Sequence, residues 1–285
     1  MNNYINKIRL IATDLDGTLL KSDKSISEKD WKTLEYLASK QIVRVAATGR
    51  SLFKVKQVLP ENAPFDFIVF SSGAGIYDWK NKNILQCEQF SKPVVADLCE
   101  HLLASGFNFF AFRPIPNNNL FWYHRGAGAC VEFDNYLVRH EGDYNELDLS
   151  SMPTEAGQMM AVIPNNDSIF EKLKNDIYDA CNGIKVIRAT SPVNPAFTWF
   201  EIFPDTVSKG HGIKWLCNFL EIEQQATVGV GNDYNDTDMF EFVAHPYVLK
   251  NGVEALTKKY RWVGKSNDED GFSAVVECLL AQTVF

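Results

Sequence analysis

Two carboxylates two residues apart, Asp14 and Asp16, head the segment Asp14-Leu15-Asp16-Gly17-Thr18. They follow a short, mostly apolar run, Ile8 to Thr13, which reads as a buried strand running into a loop. Side chains at 14 and 16 can then face one small ligand. The plain alternative is a hairpin turn, because Asp-Gly favours type I′ geometry. Residue frequencies make a chance D-x-D-G-T match an event of about one in several hundred unrelated chains, which favours chemistry. Three more polar clusters stand after apolar runs or at a helix start: Thr48-Gly49-Arg50, Lys209-Gly210 and Gly231-Asn232-Asp233-Tyr234-Asn235-Asp236. Alone, each has a structural explanation. Thr48 could close a strand-end turn, Lys209 could be a surface cation, and Arg50 could pair at a helix start.

The elements that would position these clusters follow from periodicity. Ser27 with Asp30 marks a capped helix start, and Trp31, Leu34, Leu37 and Ala38 recur at helical spacing. Ile42 to Ala47, interrupted by Arg44, and Phe67 to Phe70 read as further strands, the second followed by Ser71-Ser72-Gly73. Strands alternating with helices imply crossover units and a parallel sheet covered on both faces. Ligands bind such sheets beyond the carboxyl ends of the strands, where the polar clusters fall. From about Leu85 the pattern changes. Phe107 to Phe112, a Pro/Asn loop and Phe121-Trp122-Tyr123 predict an antiparallel hairpin. Ile169, Leu173 and Ile177 predict a helix there, and Lys185 to Ala189 a strand. The run Phe197 to Phe203 is expected to lead back to the first unit, where Lys209 opens a helix and Thr227 to Val230 forms a strand. The expected division is a discontinuous core, 1–84 with 198–285, and an inserted α/β unit, 85–197.

Taken in order, Asp14-x-Asp16-Gly17-Thr18, Thr48-Gly49-Arg50, Lys209-Gly210 and Gly231-x-x-x-Asn235-Asp236 resemble the motifs of the haloacid dehalogenase superfamily. The interval between Thr48 and Lys209 leaves room for a cap, which resembles the Cof-type branch (subclass IIB, C2 cap). The resemblance implies an α/β fold with a Rossmann-like parallel-sheet core and an inserted α/β cap. It also implies a Mg²⁺-dependent phosphatase for a small phosphorylated metabolite, with a sugar phosphate as first guess. A phosphate monoester repels an attacking carboxylate unless a cation neutralises both, and Mg²⁺ with oxygen ligands suits that task. Asp14 would then be the nucleophile and Asp16 the general acid and base. Thr48 and Lys209 would hold phosphoryl oxygens, with Thr18, Gly49 and Arg50 beside them as substrate-binding residues. The metal set implied is Asp14, Asp16, Asp236 and either Asn232 or Asp233. The usual ligand carboxylate is replaced by Asn232, so three readings stand open: Asn232 binds through its amide oxygen, Asp233 swings in, or metal binding is impaired. Two other functions stand beside hydrolysis, a phospholigand-binding regulatory protein and a sugar phosphotransferase or mutase.

Composition bounds the rest. The 285 residues are 46% hydrophobic and 22% charged, as in ordinary globular proteins. A formal net charge of −8 disfavours nucleic acid as a partner, and Lys258-Lys259-Tyr260-Arg261 reads as a solvated face. Six cysteines without C-x-x-C or Cys/His spacing read as reduced core residues. No apolar run approaches the ~20 residues of a membrane helix, which sets a cytoplasmic expectation. The cap aromatics are expected to fill a packed sheet face, with Arg113, Tyr123, His124 and Arg125 flanking the hairpin loop. Oligomeric state is not legible.

Overall fold

A computed structural model of the protein describes residues 4–191 and 194–281. The chain forms two units, Met1–Cys87 with Ser208–Phe285, and Glu88–Val207. The first unit opens with β1 (Leu10–Thr13), α1 (Glu28–Ser39), β2 (Val43–Ala47), α2 (Leu52–Val58), β3 (Phe67–Phe70), β4 (Gly75–Asp78) and β5 (Asn83–Cys87). The second holds α3 (Lys92–Ser105), β6 (Asn108–Phe112), β7 (Phe121–His124), α4 (Val131–Arg139), β8 (Tyr144–Glu146), β9 (Gln158–Pro164), α5 (Asp167–Ala180), β10 (Ile184–Thr190) and β11 (Phe197–Pro204). The chain then returns through α6 (Lys209–Phe219), β12 (Thr227–Gly231), α7 (Thr237–Phe242), β13 (His245–Val248), α8 (Glu254–Lys259), β14 (Arg261–Trp262) and α9 (Gly271–Ala281).

In the first unit the sheet order is β14-β13-β12-β1-β2-β3-β4-β5. It is parallel from β14 to β3, while β4 and β5 run antiparallel at the edge. β1 and β12 are buried along their whole length, as strands covered on both faces must be. The helix starts obey their capping residues: Ser27 Oγ accepts the Asp30 N–H at 3.0 Å and Ser208 Oγ that of His211 at 3.1 Å, each satisfying an orphan helix donor. Arg44 is charged yet sits inside β2 because its guanidinium is paired. Its Nε and Nη2 donate to the two oxygens of Asp66 at 2.9 and 2.8 Å, a fork geometry that makes burial tolerable.

The second unit has a six-stranded sheet, β10-β11-β9-β6-β7-β8, antiparallel except for the β7–β8 pair. Alternation sends Phe109, Ala111, Phe200 and Ile202 to one face, where they pack with Leu98 and Leu102 of α3 and Leu173 and Ile177 of α5. The opposite face carries Phe110 and Phe121 against Phe133 and Tyr136 of α4. The expected hairpin is β6–β7; its Phe109, Phe110, Phe112 and Phe121 are core, while Trp122 and Tyr123 are half-buried against it.

Three expectations are corrected. The boundary placed at 197/198 falls at the start of β11, which is hydrogen-bonded on both sides within the second sheet. Phe197 to Phe203 is therefore a central strand of the insertion rather than a return to the core. The boundary at 84/85 likewise cuts β5, which pairs with β4 as far as Cys87. Of the cysteines, Cys99, Cys130, Cys181 and Cys217 are buried, but Cys87 and Cys278 are exposed. Among the described residues no helix is long and apolar enough to cross a membrane.

Candidate active site

The strand ends of the first unit gather the four motifs. Asp14 leaves β1 with its N–H bonded to the Val230 carbonyl at 2.9 Å, so its backbone is fixed by the neighbouring parallel strand. Its side chain is almost fully buried, at 4% exposure. The turn that follows needs Gly17, whose φ is +72° and where a Cβ would come within 2.5 Å of Asn232 Nδ2; only glycine meets both conditions.

Lys209 reaches the same point from the start of α6. Gly210 lets that helix begin against α7, because a Cβ there would lie 2.2 Å from the Asp238 carbonyl oxygen. Lys209 Nζ donates at 2.7 Å to Asp14 Oδ1 and at 2.7 Å to Asp236 Oδ1, with no side-chain exposure of its own. Asp236 is held from behind by the N–H groups of Asn232 and Asp233, at 2.9 and 3.1 Å to Oδ2. One ammonium thus serves two buried carboxylates. Burial pushes the Asp14 carboxyl up from 3.8 to about 7, Lys209 opposing and Asp236 adding. Burial works against the Lys209 ammonium too, but the charges of Asp14 and Asp236 outweigh it and hold the amine above its ordinary value.

Asp16 lies two residues on and is partly exposed. Arg50 takes it in a two-pronged grip, Nε to Oδ2 at 2.6 Å and Nη2 to Oδ1 at 2.7 Å, and Lys24 Nζ adds a contact to Oδ1 at 3.0 Å. Burial raises the Asp16 carboxyl, yet the hydrogen bonds from Arg50 and Lys24 overcome it and leave the group below its usual range. Thr48 is buried, and its Oγ1 accepts the Arg50 N–H at 3.2 Å. Gly49 is exposed beside it. The loop after β3 fixes this segment through Ser71 N–H to the Arg50 carbonyl at 2.8 Å and Ser72 N–H to the Thr48 carbonyl at 2.9 Å.

The fourth motif separates its two ligand candidates. Asp233 is exposed and caps the short helical turn that follows, its Oδ1 accepting the Tyr234 N–H at 2.7 Å. Asn232 is half-buried, and its Oδ1 accepts the Thr18 hydroxyl at 3.1 Å. Thr18 has no exposed surface, and its hydroxyl is given to orienting Asn232. The ligand atoms gathered here are carboxylate and amide oxygens, which suit a hard cation such as Mg²⁺. The buried carboxylates outnumber the ammonium between them, an imbalance a divalent cation would relieve, so the site fits the metal.

The model of the haloacid dehalogenase-like hydrolases matches residues 11–276. The chain belongs to that family. A 5-amino-6-(5-phospho-D-ribitylamino)uracil phosphatase of Bacillus subtilis is 25% identical over 290 residues, covering 96% of this chain and 99% of the relative. A Bacteroides thetaiotaomicron phosphatase of the superfamily superposes with a TM-score of 0.76 at 16% identity, over 96% of each chain. The structure of a subclass IIB sugar phosphatase gives 0.70 at 17% identity, over 95% of this chain and 98% of the other. At such identities the structures speak for the fold alone. The activity class is that of a phosphatase.

In this hydrolase the structure also brings in residues that sequence reasoning passed over. Lys24 sits at φ +70° in the turn closed by Lys21 N–H to the Ser25 carbonyl; the only sequence signal was a cation within ten residues of the carboxylate pair. In the second unit, Arg113 stacks on Trp122 at 4.9 Å and Arg125 pairs with Asp134 at 2.7 Å. Tyr123 and His124, expected to flank the hairpin loop, lie instead at the far end of β7, paired with Phe110 and Phe109 of β6.

Proposed function

We propose that this protein is a Mg²⁺-dependent phosphatase that hydrolyses a small phosphorylated metabolite, a sugar phosphate, through an aspartyl-phosphate on Asp14. The observation that carries the reading is the Asp14–Lys209–Asp236 triad. A buried carboxylate with a fixed ammonium beside it has no structural need to lie at a strand end, but it is a pre-aimed nucleophile.

An Asp14 carboxylate oxygen attacks phosphorus, and the bond from phosphorus to the ester oxygen breaks. Asp16 gives a proton to that oxygen as it leaves. Asp16, now a carboxylate, takes a proton from a water that attacks the aspartyl-phosphate, which releases inorganic phosphate and restores Asp14. Lys209 and the Thr48 hydroxyl hold phosphoryl oxygens, and the exposed Gly49 leaves the approach open. Arg50 binds substrate in this reading by exchanging one Asp16 oxygen for a phosphoryl oxygen. The metal would be held by the Asp14 carboxylate, the Asp16 main-chain carbonyl and the Asn232 side-chain oxygen, with Asp236 behind them; Asp233 is committed to its cap. When bound, Mg²⁺ supplies the charge that lets an anion approach an anion.

The sugar-phosphate class draws support from two likenesses, the B. subtilis relative whose substrate carries a phosphorylated ribityl chain and the sugar phosphatase that shares the fold. The deciding experiment is a turnover screen over sugar phosphates, nucleotides and other phosphometabolites with and without Mg²⁺. Mg²⁺-dependent release of phosphate, greatest for sugar esters, is expected. No turnover of any ester, or of p-nitrophenyl phosphate, under either condition would leave a phospholigand binder instead.

A further inference from the structure

Asn232, the neutral residue of the proposed metal set, is held by more than its own loop. Thr18 donates its hydroxyl to the side-chain oxygen at 3.1 Å, and the Val253 N–H donates to the main-chain carbonyl at 2.9 Å. The segment that supplies this second bond is Leu249-Lys250-Asn251-Gly252-Val253, directly after β13. Asn and Gly are residues that tight turns favour, and the Gly252 N–H closes this one on the Leu249 carbonyl at 2.9 Å. A Cβ at Gly252 would strike Val248 Cγ1 and come within 3.2 Å of the Asn232 carbonyl oxygen, so glycine lets the turn press against Asn232.

Asn251 reaches from the same turn in the other direction. Its Nδ2 donates to the Gly17 carbonyl at 2.8 Å, and its Oδ1 accepts the Asn267 N–H at 3.2 Å. One amide thus gives its donor and its acceptor to two separate loops, which fixes the orientation of the group. Asn267, itself buried, donates from Nδ2 to the Leu20 carbonyl at 3.0 Å. Two asparagines in series therefore tie the stretch from Gly17 to Leu20 to the segments that follow β13 and β14.

These bonds close a ring. From the Asn232 carbonyl the path runs to Val253, back two residues to Asn251, across to Gly17, on to Thr18, and returns to the Asn232 side-chain oxygen. Asn251 is exposed, so water could satisfy its amide nearly as well. Water could not set the spacing between two loops. We propose that Asn251 is a positioning residue for the metal site: it holds the Gly17–Thr18 turn against Asn232, so that the Thr18 hydroxyl keeps the Asn232 side-chain oxygen in one orientation. This role rests on the reading of Asn232 as a Mg²⁺ ligand, and it acts through hydrogen bonds to a ligand rather than through contact with the cation.

The test is calorimetric Mg²⁺ binding to protein first stripped with chelator. Wild type, Asn232→Ala, Asn251→Ala, the double variant and Ser22→Ala would be compared, after thermal melts in chelator establish that each is folded. Ser22→Ala removes a hydroxyl bond from the neighbouring loop, to Asp268 at 2.6 Å, that lies outside the ring. Asn251→Ala should weaken Mg²⁺ binding by about tenfold, the lower end of the cost of losing a ligand's hydrogen-bonded support. Ser22→Ala should stay within about twofold in the same experiment. In the Asn232→Ala background, removing Asn251 should cost no more than about twofold further, because the side chain it supports is gone. Equal affinities of wild type and Asn251→Ala overturn the positioning role, and leave Asn232 a ligand where Asn232→Ala alone weakens binding. Losses that add fully in the double variant, or the same loss in Ser22→Ala, also overturn it, by assigning Asn251 to the general firmness of these loops. Unchanged affinity in Asn232→Ala, or no Mg²⁺ binding by wild type, overturns the reading of the metal site and this role with it.

Discussion

Replacing Asp14 with Asn tests two consequences of its burial at once. The carboxyl rises from 3.8 to about 7 because burial strips its water, with Lys209 only partly compensating. Between those values the folded protein retains a proton that the unfolded chain has released. Stability therefore falls as pH rises through that window; it is fully present below about 3.8 and lost once the pH passes about 7. At about 1.4 kcal/mol per pH unit, the rise corresponds to up to about 4 kcal/mol. Asn mimics the protonated acid and has nothing to ionise. In the presence of a chelator, Asp14→Asn should match wild type near pH 4 and exceed it at pH 8 by up to that amount, read from urea or thermal unfolding. Added Mg²⁺ should shrink the gap, because a cation beside Asp14 restores the stability of its ionised form. The same variant should show no turnover and no trapped aspartyl-phosphate. A stability gap independent of pH would refute the buried-charge account, and full turnover would refute the nucleophile.

Other outcomes follow from the same geometry. Asn232→Asp adds a carboxylate beside Asp14 and Asp236, so it should lower the melting temperature in chelator yet tighten Mg²⁺ binding by about tenfold, as expected when a neutral ligand becomes charged; equal Mg²⁺ affinities in calorimetry would remove Asn232 from the ligand set. Arg44→Ala breaks the buried fork with Asp66 and should destabilise by about 3 kcal/mol in urea unfolding. Among the described residues Arg44 pairs with Asp66 and the Leu34 carbonyl, away from the carboxyl ends of the strands, so kcat/KM should be unchanged at a temperature where the variant is folded.

How far the sequence could be read depended on whether a pattern had one physical cause. β1, β3 and α5 were legible because a buried strand or an amphipathic helix leaves a distinctive run. β11 was legible as an apolar run, but neither as a strand nor as a member of the second sheet. It is a central strand, apolar on one face through Phe200 and Ile202 and aromatic on the other through Phe197, Trp199 and Phe203. A central strand looks the same whichever sheet it joins, and only pairing partners distinguish them. The antiparallel edge formed by β4 and β5 was missed for a related reason, since nothing local to Gly75–Asp78 records that its partner β3 runs the other way.

Within the site, residue type predicted chemistry better than it predicted contacts. Asp14, Lys209 and Asp236, far apart in sequence, converge as two carboxylates on one ammonium. Thr18 and Arg50 look like substrate residues in a one-dimensional motif, yet each is occupied by another side chain. Thr18 orients Asn232, and Arg50 grips Asp16 with both prongs while Lys24 takes a third contact. In the proposed reaction that grip bears on both half-reactions. A carboxylate with both oxygens bound to cations is held as a base, suited to activating water in the second half of the reaction. To serve as an acid in the first half it must first lose part of that hold. An arriving phosphate ester carries the negative charge that competes for Arg50 and Lys24. Substrate would then loosen Asp16, letting it take up a proton from solvent before the step that needs it, and departure of phosphate would let the cations close on the carboxylate again.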